Sequence, residues 1–234
     1  MIYTDIKDIL KQFEKQRQSR QKNKQCLTEK DIEECFMPVA QQLLYGGYFS
    51  VSFDNQQYFI QLGAVELYYH EEDGSIKDPI MYHTVCRMKN TPIFKRLNRI
   101  PYFEMGAFNL HISGVDITFE NEDQKYRASC LIREYRVLET TENPATSTKK
   151  YDPCSTHIFD DMFPIGISFG ESLHIEWIPF KNVDTLPIPK TGWRKNVAKY
   201  YEKSFIKLSG VKNDPVSSKY NVDRYVNRNW QFYK

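Results

Sequence analysis

Six polar residues lie inside stretches that are otherwise apolar: Glu66, Tyr68, His83, His111, Asp116 and Arg133. On a strand, successive side chains alternate, so Glu66 and Tyr68 in "GAVELYY" share one side while Val65 and Leu67 take the other. A carboxylate beside an aromatic ring can form one wall of a catalytic pocket. The same alternation also describes the solvated face of a half-buried strand. Arg133 in "CLIREYRVLE" has the same ambiguity, because Leu131, Arg133 and Tyr135 alternate with Ile132 and Glu134. It can be a surface ion-pair partner or a pocket cation. His83 and His111 suit either structural or ligand roles. Glu66, His70 and His83 have the residue types of a divalent-metal site, but their spacing matches no metal template, and no metal is expected.

Several chemistries lack their motifs. The chain has no glycine-rich phosphate loop ending in Lys-Ser/Thr, no G-x-S-x-G, no H-E-x-x-H and no dinucleotide fingerprint. The common nucleotide-hydrolysing, serine-hydrolase and zinc-peptidase classes lose support on that ground.

The elements that would carry these residues follow from the hydrophobic period. Ile2, Ile6, Ile9, Leu10 and Phe13 recur at helical spacing, whereas Gln16 to Gln25 is nearly all polar, so residues 1–27 read as a docked helix followed by a polar extension. Thr28 is placed to cap a helix over "EKDIEECFMPVAQQLLYGG", with Asp31 three residues on, Gly46 and Gly47 as the stop, and Pro38 expected to kink or divide it. From Tyr48 the period changes to two. "YFSVSF" and "QQYFIQLGAVELYY" read as neighbouring strands across a turn at "DNQ", "GAFNLHISGVDITFE" as a third strand and "YRASCLIREYRVLE" as a fourth. "PIGISF" and "SLHIEWIPF" are further strand candidates after a loop, and "WRKNVAKYYEKSFIKL" reads as a short basic helix before a polar, aromatic tail. The expected fold is α+β: residues 28–234 as one domain with a central, mostly antiparallel, curved β-sheet flanked by helices.

Composition sets outer bounds. The 234 residues are 41% hydrophobic and 15% aromatic, enough for a sizeable core, and the charges nearly cancel to a formal +2. No global field drives the chain onto nucleic acid or membrane. Five scattered cysteines without a C-x-x-C pair argue against a disulfide framework or a zinc cluster and fit a reducing, cytoplasmic setting. No run approaches the 18 apolar residues that a membrane helix needs, and the N-terminus lacks the pattern of a signal peptide.

In order and spacing the chain resembles the alkyladenine (3-methyladenine) DNA glycosylase family, which excises damaged purines. "PVAQQLLYGGYFSVSF" is similar to the family's A-x-x-L-L-G helix end and following strand, and "GAVELYY" to its G-x-I-V-E-T-E-A-Y. "KNTPIF" is similar to its R-N-x-x-M-F, with Asn90 and Phe94 at matching separation, and "CLIREYRVLE" to its V-L-I-R-A-L-E-P. "NRNWQFYK" faintly resembles its terminal W-R-F-Y. The ordered matches run from about Pro38 to Glu139. The resemblance implies roles residue by residue: Glu66 as the catalytic glutamate, Arg133 as the active-site arginine, and Tyr68 and His83 as base-binding side chains. His111 would stand where the family has a stacking tyrosine.

The resemblance also has departures. Where the family has Y-V-Y-I-I-Y-G, this chain reads Asn109-Leu110-His111-Ile112-Ser113-Gly114, so no tyrosine precedes Gly114 to fill the gap left by a flipped nucleotide. The pocket asparagine that disfavours normal guanine has no counterpart near Glu120-Asn121.

The implied reaction is hydrolysis of an N-glycosidic bond. Glu66 would orient and deprotonate water and stabilise an oxocarbenium-like sugar, Arg133 would keep Glu66 ionised through its charge and position the water, and Tyr68, His83 and His111 would sandwich the purine. No metal or organic cofactor is required. Arg194, Lys195 and Lys199 on the basic helix could contact the DNA backbone, or be an ordinary solvated face. The partner so implied is DNA carrying a damaged purine, bound by a monomer. The other reading open here is a non-catalytic or redirected member of the same fold that binds nucleic acid, a nucleobase or a protein.

Overall fold

The computed structural model of the chain describes residues 5–23, 26–53, 55–78, 81, 92–97, 100–111, 113–163, 173–181, 185–194 and 228–234. Among these residues four helices and eight strands are defined: α1 Ile6–Asn23, α2 Glu29–Tyr45, β1 Gly47–Phe53, β2 Gln56–Glu71, α3 Pro92–Leu97, β3 Phe108–His111, β4 Gly114–Thr118, β5 Tyr126–Glu139, α4 His157–Met162, β6 His174–Pro179, β7 Lys190–Gly192 and β8 Gln231–Tyr233. The strands form one curved, unclosed antiparallel sheet in the order β3-β4-β5-β2-β1-β6, so the expected α+β architecture is present. β5 pairs with β2 along nearly its whole length. The other edge of β2 is shared, with β1 at its start and β8 opposite Ala64–Glu66. β7 extends the sheet beyond β8.

The capping expected at Thr28 is complete. Its hydroxyl accepts from the Asp31 amide at 3.2 Å, and the Asp31 carboxylate accepts from the Thr28 amide at 2.8 Å. Such a reciprocal cap is worth about 1 kcal/mol. α2 is not divided at Pro38 and runs on to Tyr45.

One face of the sheet is apolar and packs on α1 and α2 through Phe13, Phe36, Tyr69, Phe119, Tyr126 and Phe232. Phe36 and Phe119 stack with ring centroids 5.7 Å apart. Fully burying each such side chain contributes roughly 2–3 kcal/mol.

The polar extension expected after the first helix is instead more helix, to Asn23. Its helical continuation is secured by Arg17, which is buried. Arg17 donates to the Tyr69 hydroxyl and to Gln124 Oε1, both at 2.6 Å, pairs with Glu71 at 3.3 Å, and lies 4.6 Å from the Tyr126 ring centre. A long polar run thus stays helical because one charged residue per few turns finds a buried partner set.

The single strand expected over Gly106–Glu120 is a hairpin, β3 and β4, with His111 opposite Gly114. Gly114 has φ +131°, where an L side chain is strained, and a Cβ there would meet the Ser155 carbonyl. The "PIGISF" segment lies outside the described residues. In the polar, aromatic tail, Gln231–Tyr233 form a strand against the middle of the sheet.

Candidate functional site

The second face of the sheet is polar and still buried. Along β2 it carries Gln61, Glu66, Tyr68 and His70; along β5, Arg127, Ser129, Arg133 and Arg136; on β4, Asp116 and Thr118. All except Tyr68, which is half-buried, are below 9% exposure. Polar side chains pay a desolvation penalty there unless they are paired. Their pairing gives the site its shape.

Two compensating bulges set that geometry. Leu62 faces Tyr135, Ala64 faces Glu134 and Val65 faces Ile132, so Gly63 is an extra residue on β2 and Arg133 an extra residue on β5. The inward parity changes with them: Ile60 and Leu62 reach the core before the bulge, and Val65, Leu67 and Tyr69 after it. The sequence expectation that Arg133 and Tyr135 share a face therefore fails. Tyr135 belongs to the core, while Arg133 is directed to the polar face.

There Arg133 Nη2 lies 2.7 Å from Glu66 Oε2, and the Tyr68 hydroxyl donates to the same oxygen at 3.1 Å. Glu66 is fully buried, at 0% exposure. Arg133 Nη1 also donates to Ser155 Oγ at 3.3 Å, and Ser155 Oγ donates to the Ser113 carbonyl at 3.0 Å. The loop before α4 is thereby tied to the β3–β4 turn. Burial works against the Arg133 charge, but Tyr68 and Glu66 outweigh it and raise its pKa. Burial, then the negative charge of Glu66, pushes the Tyr68 phenol well above its usual range, against the opposing Arg133 and Arg194 charges. Tyr68 is thus a neutral hydrogen-bond donor.

A second acid faces the same side. Asp116 and Glu66 both stand opposite Leu131, one from each side, so about two strand spacings, roughly 10 Å, separate their backbones. Asp116 Oδ2 lies 3.2 Å from His111 Nε2 and accepts from Ser129 Oγ at 3.3 Å. The Ser113 amide donates to His111 Nδ1 at 3.2 Å. Nδ1 is thus the accepting nitrogen, and Nε2 is the one that lies beside Asp116.

Arg194 was expected on an exposed phosphate-contacting patch and is instead buried. Its Nη1 sits 2.6 Å from Asp78 Oδ2, and its guanidinium lies 4.8 Å from the centre of the Tyr68 ring. The cause is the Asp78 carboxylate, itself fully buried, together with Trp230, whose ring lies 5.3 Å from Arg194 and 4.3 Å from Arg228. Arg194 thus occupies one face of Tyr68 and places a cation within reach of Glu66.

The sequence reasoning singled out Glu66, Tyr68, His111 and Arg133 as site residues, and the structure brings Glu66, Tyr68 and Arg133 into direct contact. His111 lies beside Asp116, a polar residue of an apolar strand on the same sheet face, which contacts Ser129 and not the Glu66 cluster among the described contacts. Asp78, Ser129 and Ser155 were missed. Ser129 could have been found by the same alternation that exposed Glu66; Asp78 and Ser155 lie in irregular segments with no periodic signal. His83, Asn90, Lys195 and Lys199 lie outside the described residues.

No family model, curated protein or solved structure matches this chain. The site has to be read on its own chemistry. Among the described residues no cluster of His, Cys, Asp and Glu could hold a metal ion. His70, weighed as a metal ligand, accepts the Asp78 amide on Nδ1 at 3.0 Å. Burial and the nearby Lys77 charge lower its pKa to about 4, so it is neutral near pH 7. No described helix is long and apolar enough to cross a membrane.

Proposed function

We propose that this chain is an N-glycosylase of the 3-methyladenine type that hydrolyses the bond between a damaged purine and its sugar. The observation that carries the reading is the fully buried Glu66 carboxylate, held at one oxygen by both Arg133 Nη2 and the Tyr68 hydroxyl. A carboxylate desolvated on a rigid strand suits a reaction that develops positive charge on the sugar, because charge stabilisation is strongest where water is excluded. Glu66 takes a proton from water, the water oxygen bonds to the anomeric carbon, and the carbon–nitrogen bond breaks with its electron pair leaving on the purine. Arg133 fixes the carboxylate, and its second nitrogen is itself held by Ser155. Arg194 lies over one face of the Tyr68 ring, and in this reading the base stacks on the other. In this reading His83 and His111 complete the base pocket, no cofactor takes part, and the protein acts as a cytoplasmic monomer on DNA.

Two observations favour the second reading, a redirected binder of the same architecture. Arg194 already covers a face of Tyr68, and Ser113 stands where the resemblance would place a wedge tyrosine. Base flipping costs a few kcal/mol, and a missing wedge removes one means of offsetting it. Single-stranded substrate escapes that cost.

The test is release of free base from single-stranded and duplex oligonucleotides containing hypoxanthine, 3-methyladenine or ethenoadenine. The glycosylase reading expects abasic sites, more from the single strand than from the duplex. Saturable binding of the oligonucleotides without base release supports the redirected binder.

A further inference from the structure

A second site lies on the same polar sheet face, farther along β2, and takes no part in the Glu66 chemistry. It is a cleft of about 530 Å³ whose walls include Tyr45, Gln61, Arg136, Tyr151, Phe180 and Lys234. One wall rests against the β2 bulge: the Tyr151 ring lies so close to Gly63 that a Cβ at position 63 would meet it at 2.6 Å. The glycine at the bulge therefore makes room for Tyr151.

Two cations are built into the walls. Arg136 spends its donors on neutral oxygens: Nε on Gln61 Oε1 at 2.9 Å, Nη2 again on Gln61, and Nη1 on the carbonyls of Ser147 and Lys149 at 2.7 and 2.9 Å. Its guanidinium rests 4.7 Å from the Tyr151 ring centre. Lys234 is anchored by its amide on the Gly63 carbonyl. Its ammonium donates to the Tyr151 hydroxyl at 2.6 Å and faces the rings of Tyr151 and Tyr45 at 4.9 and 5.5 Å. No Asp or Glu side chain is among the described lining residues, and Lys181 stands exposed at the rim. Burial, reinforced by Arg136, lowers the Lys234 pKa to about 7.

Positive side chains with no Asp or Glu side chain among the described lining residues, walled by aromatic rings, are complementary to an anion that carries a ring. The volume falls within the range of small-molecule sites. We infer that this cleft binds a small organic oxyanion, a carboxylate or phosphate attached to a planar ring, with the oxyanion on Lys234 and the ring among Tyr45, Tyr151 and Phe180. An anion placed there favours the charged amine, so binding above neutral pH takes up a proton on Lys234. This assignment is independent of the glycosylase reading.

Calorimetric titration of the full chain at about pH 8, in two buffers of different ionisation enthalpy, tests it, with phenyl phosphate, benzoate and inorganic phosphate as probes. The expected result is saturable binding of both ring anions, inorganic phosphate weaker by about tenfold or more, and uptake of close to one proton per ligand. Lys234→Met, checked for an unchanged thermal melt, should lose the proton uptake and about tenfold or more in affinity. No saturable binding of either ring anion would overturn the inference. So would binding without proton uptake, or binding that Lys234→Met leaves unchanged.

Discussion

Arg133 reaches Glu66 because each of their strands carries one extra residue at the same level of the sheet. The bulge at Gly63 on β2 and the bulge at Arg133 on β5 cancel in register but not in direction, and the guanidinium closes on the carboxylate at 2.7 Å. A regular ladder would have kept Arg133 and Tyr135 on one side, with the arginine and the core tyrosine competing for the same face. The pair is thus a product of backbone irregularity, a common device for aiming a functional side chain.

Breaking this pair from one side should be costly. Arg133→Met leaves a buried carboxylate without its cation and is expected to cost about 3–5 kcal/mol. Adding Glu66→Gln removes the stranded charge and should recover part of that loss. Urea unfolding of the two single variants and the double variant measures it; additive losses would show that the two side chains are not energetically coupled.

Gly63 should tolerate no side chain while Tyr151 is present. Gly63→Ala must displace the ring and is expected to cost about 1–3 kcal/mol, the usual penalty of overpacking. In a Tyr151→Ser background the same change should cost much less. Thermal melts of the four proteins check this, and an equal cost in both backgrounds would place the strain elsewhere.

Stability should fall in mild acid because of His70. Its folded pKa, about 4, lies below the ordinary 6.5, so the unfolded chain binds a proton that the folded protein refuses. The sign follows directly: this contribution is fully present above about pH 6.5, is lost as pH falls, and levels off below about pH 4, for a total of roughly 3 kcal/mol. His70→Gln should flatten the pH dependence of urea midpoints in that window. A profile unchanged by the substitution would show that His70 titrates normally.

The last turns of α1 depend on Arg17. Arg17→Met leaves the Tyr69 hydroxyl and Glu71 without their buried donor and should cost about 2–4 kcal/mol. Hydrogen exchange should show faster exchange over residues 17–23 than over residues 6–13. Uniform exchange along the helix would mean that the arginine does not hold its end.

The sequence made local structure legible where a single segment carries its own signal. The Thr28 cap, the pairing of β1 with β2 and the presence of β5 as a strand all need only neighbouring residues. What depended on distant partners was hidden. Nothing near Gln16 announces that Arg17 will meet Tyr69, and nothing near Arg194 announces Asp78. The stretch from Phe108 to Thr118 reads as one strand because no strong turn residue precedes Gly114. In the candidate site, alternation picked out Glu66, Tyr68, Asp116 and Arg133 as polar residues among apolar ones. It left open whether they were solvated or buried, because that depends on what covers the sheet face.

The most direct test of the central proposal is a single-turnover base-release assay on single-stranded DNA containing hypoxanthine, run with the natural chain and with Glu66→Gln matched for folded structure by circular dichroism. The account predicts abasic sites with the natural chain and loss of at least about 100-fold in rate with Glu66→Gln, the scale of a general base removed. Base release that persists in folded Glu66→Gln, or its absence from the natural chain across hypoxanthine, 3-methyladenine and ethenoadenine, would contradict it.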